Sequence, residues 1–208
     1  MDLDLHIHTT KYSRCSAMTP DDLMIAAKGV GLDGVCLTEH NRLWSSDDAR
    51  ELASRYGLAV FRGMEITTTG GDILVFGLEE EPDGLWTPEI LKAKVDAVGA
   101  LAIAAHPFRG FFLFGPSDLA MSISDAMQTP TFQCVHGLEV CNGMVTLSEN
   151  EFARRVAQGL GLLQIGGSDA HRMDQVGICI TRFHDTIHDE RDLIEAIRAE
   201  RYTLLRTR

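Results

Sequence analysis

Short runs of apolar residues alternate with longer segments of helical periodicity along most of the chain. The apolar runs predict eight strands, at residues 3–7, 34–38, 59–66, 73–78, 101–105, 137–141, 162–166 and 177–181. Helices are predicted between them, because Thr19-Pro20 and Thr87-Pro88 each offer an N-cap followed by a proline at the first helical position. Residues 148–158 and 189–199 also carry apolar side chains at helical spacing.

The repetition of strand, helix and strand predicts an α/β fold in which helices cover a mainly parallel sheet. Eight strands in 208 residues favour a compact, distorted barrel of the TIM type, with its site at the C-terminal strand ends. Segments 59–66 and 73–78, joined by a Thr-Gly-Gly turn, are expected to form a hairpin instead. We find no linker or internal repeat and predict one domain over residues 1–208. The least regular stretch, 108–131, is predicted to be a loop or lid.

Composition narrows the class of protein. Hydrophobic residues make up 45% of the chain, which is enough for a sizeable core. No signal peptide or transmembrane segment is recognisable, so we expect a soluble cytoplasmic protein without membrane partners. The formal net charge of -11 disfavours binding to extended nucleic acid. The five cysteines include no CxxC pair and do not predict a disulfide framework.

Side chains that bind metals recur at the C-terminal ends of the predicted strands. His6 and His8 close the first strand, and two residues apart on an extended chain they point to the same side. A lone histidine beside an apolar strand is more often a core residue than a ligand, and His136, His184 and His188 are assigned to that structural role. In a parallel barrel, however, the strand ends meet on one face, so their recurrence there predicts a common site. The predicted set is His6, His8, His40, Glu65, His106, Asp169 and His171, with Glu139 and Asn142 at a further strand end.

This set of imidazoles and carboxylates exceeds what one tetrahedral zinc ion needs. It suits two or three divalent ions of the Zn, Mn or Fe type, with Glu65 free to bridge two of them. Two ions about 3.5 to 4 Å apart would generate a hydroxide near neutral pH and hold the oxygens of an in-line displacement. The pattern therefore favours the hydrolysis of phosphate esters.

The motifs around these residues resemble those of the polymerase and histidinol phosphatase (PHP) superfamily. They are DLHIHT at 4–9, TEHN at 38–41, GMEITT at 63–68, AAHPFR at 104–109, LEVCNG at 138–143 and GSDAHR at 167–172. The resemblance implies a distorted seven-stranded (β/α) barrel and a phosphoesterase that uses two or three metal ions. It also implies a role for each ligand: His6, His8 and Asp169 on a first ion, Glu65 bridging to a second held by His106, and His40 and His171 on a third.

Five residues are candidates for contact with the substrate or the leaving group. Arg109, three residues after His106, is placed to neutralise a substrate phosphate, although a surface ion pair is the alternative. Asn142 and Lys11 are weaker candidates for substrate contact. His171, if it is free of metal, could assist the leaving group, as could His40.

Three positions depart from the family pattern. Cys15, in KYSRCS, stands where many relatives carry a metal-binding aspartate, so it is either a thiolate ligand that favours zinc or no ligand. Asp72, in GDILVFG, stands where relatives often have a metal-binding histidine. Glu39 replaces the more common aspartate of TDHN and is expected to orient His40 or another ligand.

We therefore predict a metal-dependent phosphoesterase that hydrolyses a small phosphomonoester or short nucleotide through a metal-activated hydroxide. An amidohydrolase is one alternative, since that class also uses a pair of histidines, further histidines and a final aspartate in a barrel. The other alternative is a metal-binding or regulatory module whose changes at Cys15 and Asp72 have weakened catalysis. The identity of the ester, the metals and the oligomeric state are left open.

Overall fold

The alternation of apolar and helical segments produces six α-helices and nine strands in the residues described by the computed structural model, 1–111 and 121–207. The strands are β1 Asp2–Ile7, β2 Gly34–His40, β3 Ala59–Thr68, β4 Gly71–Phe76, β5 Leu101–Ala104, β6 Gly137–Asn142, β7 Leu163–Gly167, β8 Cys179–Phe183 and β9 Tyr202–Arg206. The helices are α1 Pro20–Val30, α2 Ser46–Tyr56, α3 Pro88–Val98, α4 Ile123–Ala126, α5 Leu147–Leu160 and α6 Glu190–Arg198.

Local capping chemistry sets the helix ends. Thr19 caps α1 by accepting a hydrogen bond from the backbone of Asp22, whose carboxylate bonds back to Thr19 in a capping box. The helix ends at Gly31, which has a φ of 82° and adopts the left-handed conformation that glycine tolerates. Thr87 and Pro88 begin α3 in the same way as the sequence predicts. These short signals therefore suffice to locate both helices.

The sheet is ordered β7-β6-β5-β4-β3-β2-β1-β8-β9 and curves almost closed. β4 and β8 run opposite to the remaining strands, which all share one direction. The predicted hairpin of β3 and β4 is confirmed, as is the mainly parallel, barrel-like α/β fold. The barrel closes where Ala170, after β7, exchanges backbone hydrogen bonds with His6 and His8 at 3.2 and 3.0 Å.

Three elements have no counterpart in the sequence-based prediction: helices α2 and α4 and the final strand β9. The pattern of β9 is weak because most of its side chains are half-exposed or exposed. Strand β8 begins two residues later than predicted, since Gly177 has a φ of 73° and its N–H donates to the buried carboxylate of Asp4 at 2.9 Å. Of the predicted loop or lid at 108–131, residues 112–120 lie outside the described residues, and α4 lies in the remainder.

The core lies between the sheet and the helices that cover it. One cluster joins Leu3 and Leu5 of β1 and Phe76 of β4 to Ile194 and Ile197 of α6. Because these apolar residues fix β1 along its length, the position of its C-terminal end is fixed as well. Within the described residues, no helix is long and apolar enough to cross a membrane.

Candidate metal centre

The end of β1 brings two imidazoles together at the mouth of the barrel. His6 and His8 are both fully buried, and their Nε2 atoms lie 3.1 Å apart. Their spacing of two residues places both side chains on one face of the strand, as the sequence predicts. Gly167 at the end of β7 allows that strand to lie close against β1, because a Cβ at position 167 would lie 2.5 Å from the Cβ of His6.

Glu65 lies at the middle of the cluster. It is 1% exposed and sits in β3, directly opposite His40 of β2. Its Oε2 lies 3.4 Å from Nε2 of His6, 3.1 Å from Nε2 of His8 and 3.1 Å from Nδ1 of His40, and its Oε1 lies 2.9 Å from Nε2 of His106. A single carboxylate therefore faces four histidines, which is the geometry expected of a bridging ligand.

Asp169 completes the centre from the segment after β7. Its Oδ1 lies 3.5 Å from Nε2 of His6, 3.4 Å from Nε2 of His8 and 3.6 Å from Nδ1 of His171. Asp169 and His106 have φ values of 56° and 30°, a region that residues other than glycine adopt rarely. Two such residues at one site indicate local backbone strain, which is often found at functional positions.

The candidate ligands fall into three groups whose donor atoms lie within 4.8 Å of one another. The groups are His6, His8 and Asp169; His6, Glu65 and His106; and His8, His40 and His171. The seven histidine, glutamate and aspartate residues predicted from the sequence are thus brought together. Cys15 belongs to none of the groups, and the residue as a whole is exposed. Partial desolvation of its sulfur and the negative charges of Glu65 and Glu39 raise the pKa of the thiol, which disfavours the thiolate. The geometry therefore does not support the prediction of a thiolate ligand.

The ring orientations turn one nitrogen of each histidine toward the centre. Nδ1 of His6 lies 2.9 Å from Oε1 of Glu139, and Nδ1 of His171 lies 2.9 Å from the backbone carbonyl oxygen of Asp169. Both partners can only accept, so each Nδ1 carries a hydrogen and donates. Burial, followed by the charges of His8 and His6, lowers the pKa of His171 to about 4, so this ring is neutral near pH 7. The second nitrogen of His171 is therefore available to a metal ion.

The electrostatics of the site call for positive charge. Burial alone would lower the pKa of His6, but Glu139 and Glu65 outweigh it and raise that pKa to about 10. Burial would likewise raise the pKa of Glu65, yet His6 and His106 bring it well below its usual value. The described residues contain no buried lysine or arginine, whereas four buried carboxylates lie at or directly behind the centre: Glu39, Glu65, Glu139 and Asp169. Because buried negative charge is costly unless positive charge offsets it, this donor set fits bound divalent cations.

Two of these buried carboxylates support histidines from behind. Glu139 accepts hydrogen bonds from Nδ1 of His6 and from the backbone N–H of His106. Glu39 accepts from the hydroxyl of Ser13, whose oxygen lies 3.2 Å from Nδ1 of His8. The predicted orienting role of Glu39 thus reaches a ligand, but through Ser13. The sequence predicts that Glu139 lies at a strand end but assigns it no role. Its place on β6 among the other strand-end carboxylates is the feature that could have indicated its contact with His6.

The predicted substrate contacts occupy three different settings. Arg109 donates to Oδ2 of Asp169 and is 43% exposed, so it lies at the edge of the centre. Asn142 is fully buried, and its amide donates to Glu139 at 2.9 Å, which makes it a supporting residue instead. Lys11 pairs with Asp48 at 2.7 Å and lies 3.9 Å from the centroid of the Trp44 ring, an arrangement that holds its ammonium away from the histidines. The positions of Asn142 and Lys11 do not support the prediction of substrate contact.

A cavity of about 310 Å³ adjoins the centre. Its walls include His106 and Arg109 together with Asp72, Thr131 and Phe132. A larger cavity of about 480 Å³ lies elsewhere and is lined by none of the candidate ligands. We attach no chemistry to the larger cavity, because its charged groups pair among themselves, as Arg62 does with Glu79 and Glu190.

Comparison with known proteins places this geometry in context. Residues 4–154 match the family described as "PHP domain", and residues 148–202 match the family described as "PHP-associated". An uncharacterized protein of Methanocaldococcus jannaschii is 37% identical over 119 residues, which cover 52% of this chain and 68% of that protein.

Two solved structures show the same fold. One is a two-domain Bacteroides vulgatus protein described as containing a predicted PHP-like metal-dependent phosphoesterase, with a TM-score of 0.73, 23% identity and coverage of 99% of this chain. This chain spans only 64% of that protein. The other is an amidohydrolase from Chromobacterium violaceum with bound sulfate, with a TM-score of 0.67, 16% identity and coverage of 98% of this chain and 97% of that protein.

Proposed function

The chain belongs to the PHP domain family, and we propose that it is a metal-dependent hydrolase that acts on a small phosphomonoester or a short nucleotide. The observation that carries this proposal is Glu65, whose two oxygens lie within 3.4 Å of nitrogens from His6, His8, His40 and His106. A buried carboxylate shared by four imidazoles is suited to hold two ions side by side.

The ligands divide among two or three ions of the Zn, Mn or Fe type. His6, His8 and Asp169 would hold one ion and His106 a second, with Glu65 between them. His40 and His171 would hold a third. When bound, such ions supply Lewis acidity, lower the pKa of water and neutralise charge on phosphate oxygens.

The residues of the chain would position the substrate. Arg109 reaches Asp169 from the edge of the centre, and its planar guanidinium can bind two phosphate oxygens at once. Burial lowers the pKa of His40 and of His171, so both rings are neutral near pH 7. We therefore favour a ligand role over a proton-donating role for His171, in contrast to the catalytic role considered from the sequence.

The adjoining cavity supports a small substrate. The cavity measures about 310 Å³, and its lining combines the polar residues Asp72 and Thr131 with the apolar Phe132, so it suits a compact leaving group next to His106 and Arg109. The formal net charge of -11 also disfavours a long nucleic acid at this surface. Short nucleotides and sugar-sized or amino-acid-sized phosphate esters fit both observations.

The test is a screen of phosphomonoesters, phosphodiesters and cyclic amides with protein reconstituted in Zn, Mn or Fe. We expect turnover of a phosphomonoester that is lost in Asp169→Ala and retained in Asp174→Ala, a control at an exposed aspartate paired with Arg172. Hydrolysis of a cyclic amide without phosphate release would favour an amidohydrolase, whose fold this chain shares. Tight metal binding without any turnover would favour a regulatory module instead.

A further inference from the structure

We propose that Glu139 and Glu39 are positioning residues on two sides of the centre, each orienting one histidine of the first ion and the backbone of a ligand of the second or the third, an inference that rests on the proposed metal-dependent function. Each glutamate holds one histidine ring and one backbone N–H of a neighbouring strand end. Glu139 serves the group of His6, Glu65 and His106. Glu39, acting through Ser13, serves the group of His8, His40 and His171.

The Glu139 side of the centre is a direct contact. Oε1 of Glu139 accepts from Nδ1 of His6 at 2.9 Å, and Oε2 accepts from the backbone N–H of His106 at 2.9 Å. The same Oε2 accepts from the amide of Asn142 at 2.9 Å. Glu139 thus fixes the ring of one proposed ligand and the backbone of another, on strand ends that are far apart in sequence.

The Glu39 side works through a hydroxyl. Oε2 of Glu39 accepts from the hydroxyl of Ser13 at 2.5 Å and from the backbone N–H of Thr9 at 3.0 Å. Its Oε1 accepts from the Thr9 hydroxyl and from the indole N–H of Trp44, the latter at 3.1 Å. With donors on both oxygens, this fully buried carboxylate is held in one orientation.

Ser13 converts that orientation into a choice of tautomer for His8. A hydroxyl has one hydrogen and two lone pairs, and its hydrogen goes to Glu39 because a carboxylate can only accept. The oxygen of Ser13 is then left to accept from Nδ1 of His8 and from the backbone N–H of His40, each at 3.2 Å. Nδ1 of His8 therefore carries the hydrogen, and Nε2 presents its lone pair to the centre.

An amide cannot replace either carboxylate. In Glu139→Gln the NH₂ group would either face Nδ1 of His6 and favour the wrong tautomer, or meet the N–H of His106. In Glu39→Gln it would meet the N–H of Thr9 or that of Trp44. A substitution of nearly unchanged size would therefore disturb the geometry of the ligands.

The decisive experiment measures metal affinity, by titration against chelator-buffered Zn and Mn, without any substrate. We expect both Glu139→Gln and Ser13→Ala to weaken the first ion by roughly 10- to 100-fold. Glu139→Gln should also weaken the second ion and spare the third, whereas Ser13→Ala should also weaken the third ion and spare the second. Glu149→Gln is the matched control, because Glu149 is a buried glutamate that contacts Thr146 and lies outside the centre. The Glu149→Gln variant should bind each metal ion as tightly as the unaltered protein does.

Double variants then assign each effect to one group. At the second ion, Glu139→Gln should cause little further loss in a His106→Ala background but its full loss in a His171→Ala background. At the third ion, Ser13→Ala should show the reverse. Nitrogen-15 chemical shifts of His8 provide a second readout: the hydrogen should lie on Nδ1 in the unaltered protein and be distributed over both nitrogens in Ser13→Ala.

Equal weakening of every ion by both variants would overturn the inference, as would an unchanged tautomer of His8 in Ser13→Ala. These results are distinct from failure of the proposed function. A protein that binds its ions with the expected pattern but hydrolyses no phosphate ester would retain the positioning roles and lose the phosphoesterase assignment.

Discussion

Removing bound metal should destabilise the folded protein, because the centre gathers negative charge that no buried lysine or arginine offsets in the described residues. Glu65, Glu139, Glu39 and Asp169 are each at most 1% exposed and lie within one network of hydrogen bonds and ion pairs with the histidines. A divalent ion bound at the centre would offset negative charge that is buried in the folded protein but hydrated in the unfolded chain. Ion binding and folding are therefore expected to be coupled.

The magnitude follows from mass action. An ion present at 100 to 1,000 times its Kd stabilises the folded state by about 2.7 to 4.1 kcal/mol. In a domain of this size, each kcal/mol shifts Tm by about 2 to 4 °C. One ion should therefore raise Tm by roughly 5 to 16 °C.

The assay is calorimetry of chelator-treated protein before and after addition of Zn or Mn. We expect the rise in Tm to follow ion concentration, to be much smaller in Asp169→Ala and to persist in Asp174→Ala. An unchanged Tm at saturating ion would refute the reasoning, because it would mean that the buried carboxylates are balanced within the protein itself. An equal rise in Asp169→Ala would place the ion elsewhere.

Three further outcomes follow from single contacts. Arg109→Lys should lower kcat/KM for a phosphate ester roughly 5- to 150-fold, because a lysine cannot bind two phosphate oxygens in one plane. An unchanged kcat/KM would exclude contact between Arg109 and the phosphate. Gly167→Ala should destabilise the protein by about 1 to 3 kcal/mol and weaken metal binding, since the added methyl meets His6. Gly29→Ala, in the last turn of α1 where no atom lies within 4 Å of the added Cβ, should instead stabilise by about 0.5 to 1 kcal/mol in urea unfolding. Burial raises the pKa of Tyr202 to about 12, so the stabilisation provided by the neutral phenol is complete below pH 10 and is lost as pH rises toward 12. Tyr202→Phe should therefore reduce the alkaline loss of stability measured by urea unfolding. An unchanged dependence of stability on pH would contradict this expectation.

The proximity of the candidate ligands could be predicted because their positions follow simple rules of periodicity and topology. His6 and His8 share a face through the two-residue repeat of a strand, and Glu65 and Asp169 lie at strand ends that a barrel brings together. The hairpin between β3 and β4 was predictable from its glycine turn. These features depend on short stretches of sequence and one topological rule.

The remaining features depend on contacts between segments distant in sequence. The path from Glu39 through Ser13 to His8 requires the loop after β1 to fold back onto β2, which no periodicity encodes. The place of Asn142 after a strand predicts a substrate contact, but its amide is directed at Glu139. Strand β9 was missed because it is paired by β8 while burying little of its own surface.

The most direct measurement of the central claim is phosphate release by one preparation in three states: metal-free, reconstituted with Zn or Mn, and treated again with chelator. We predict that hydrolysis of a small phosphomonoester appears only in the reconstituted state and requires at least two ions per chain. A rate that is the same in all three states would contradict the account. So would a fully reconstituted protein that releases phosphate from no ester.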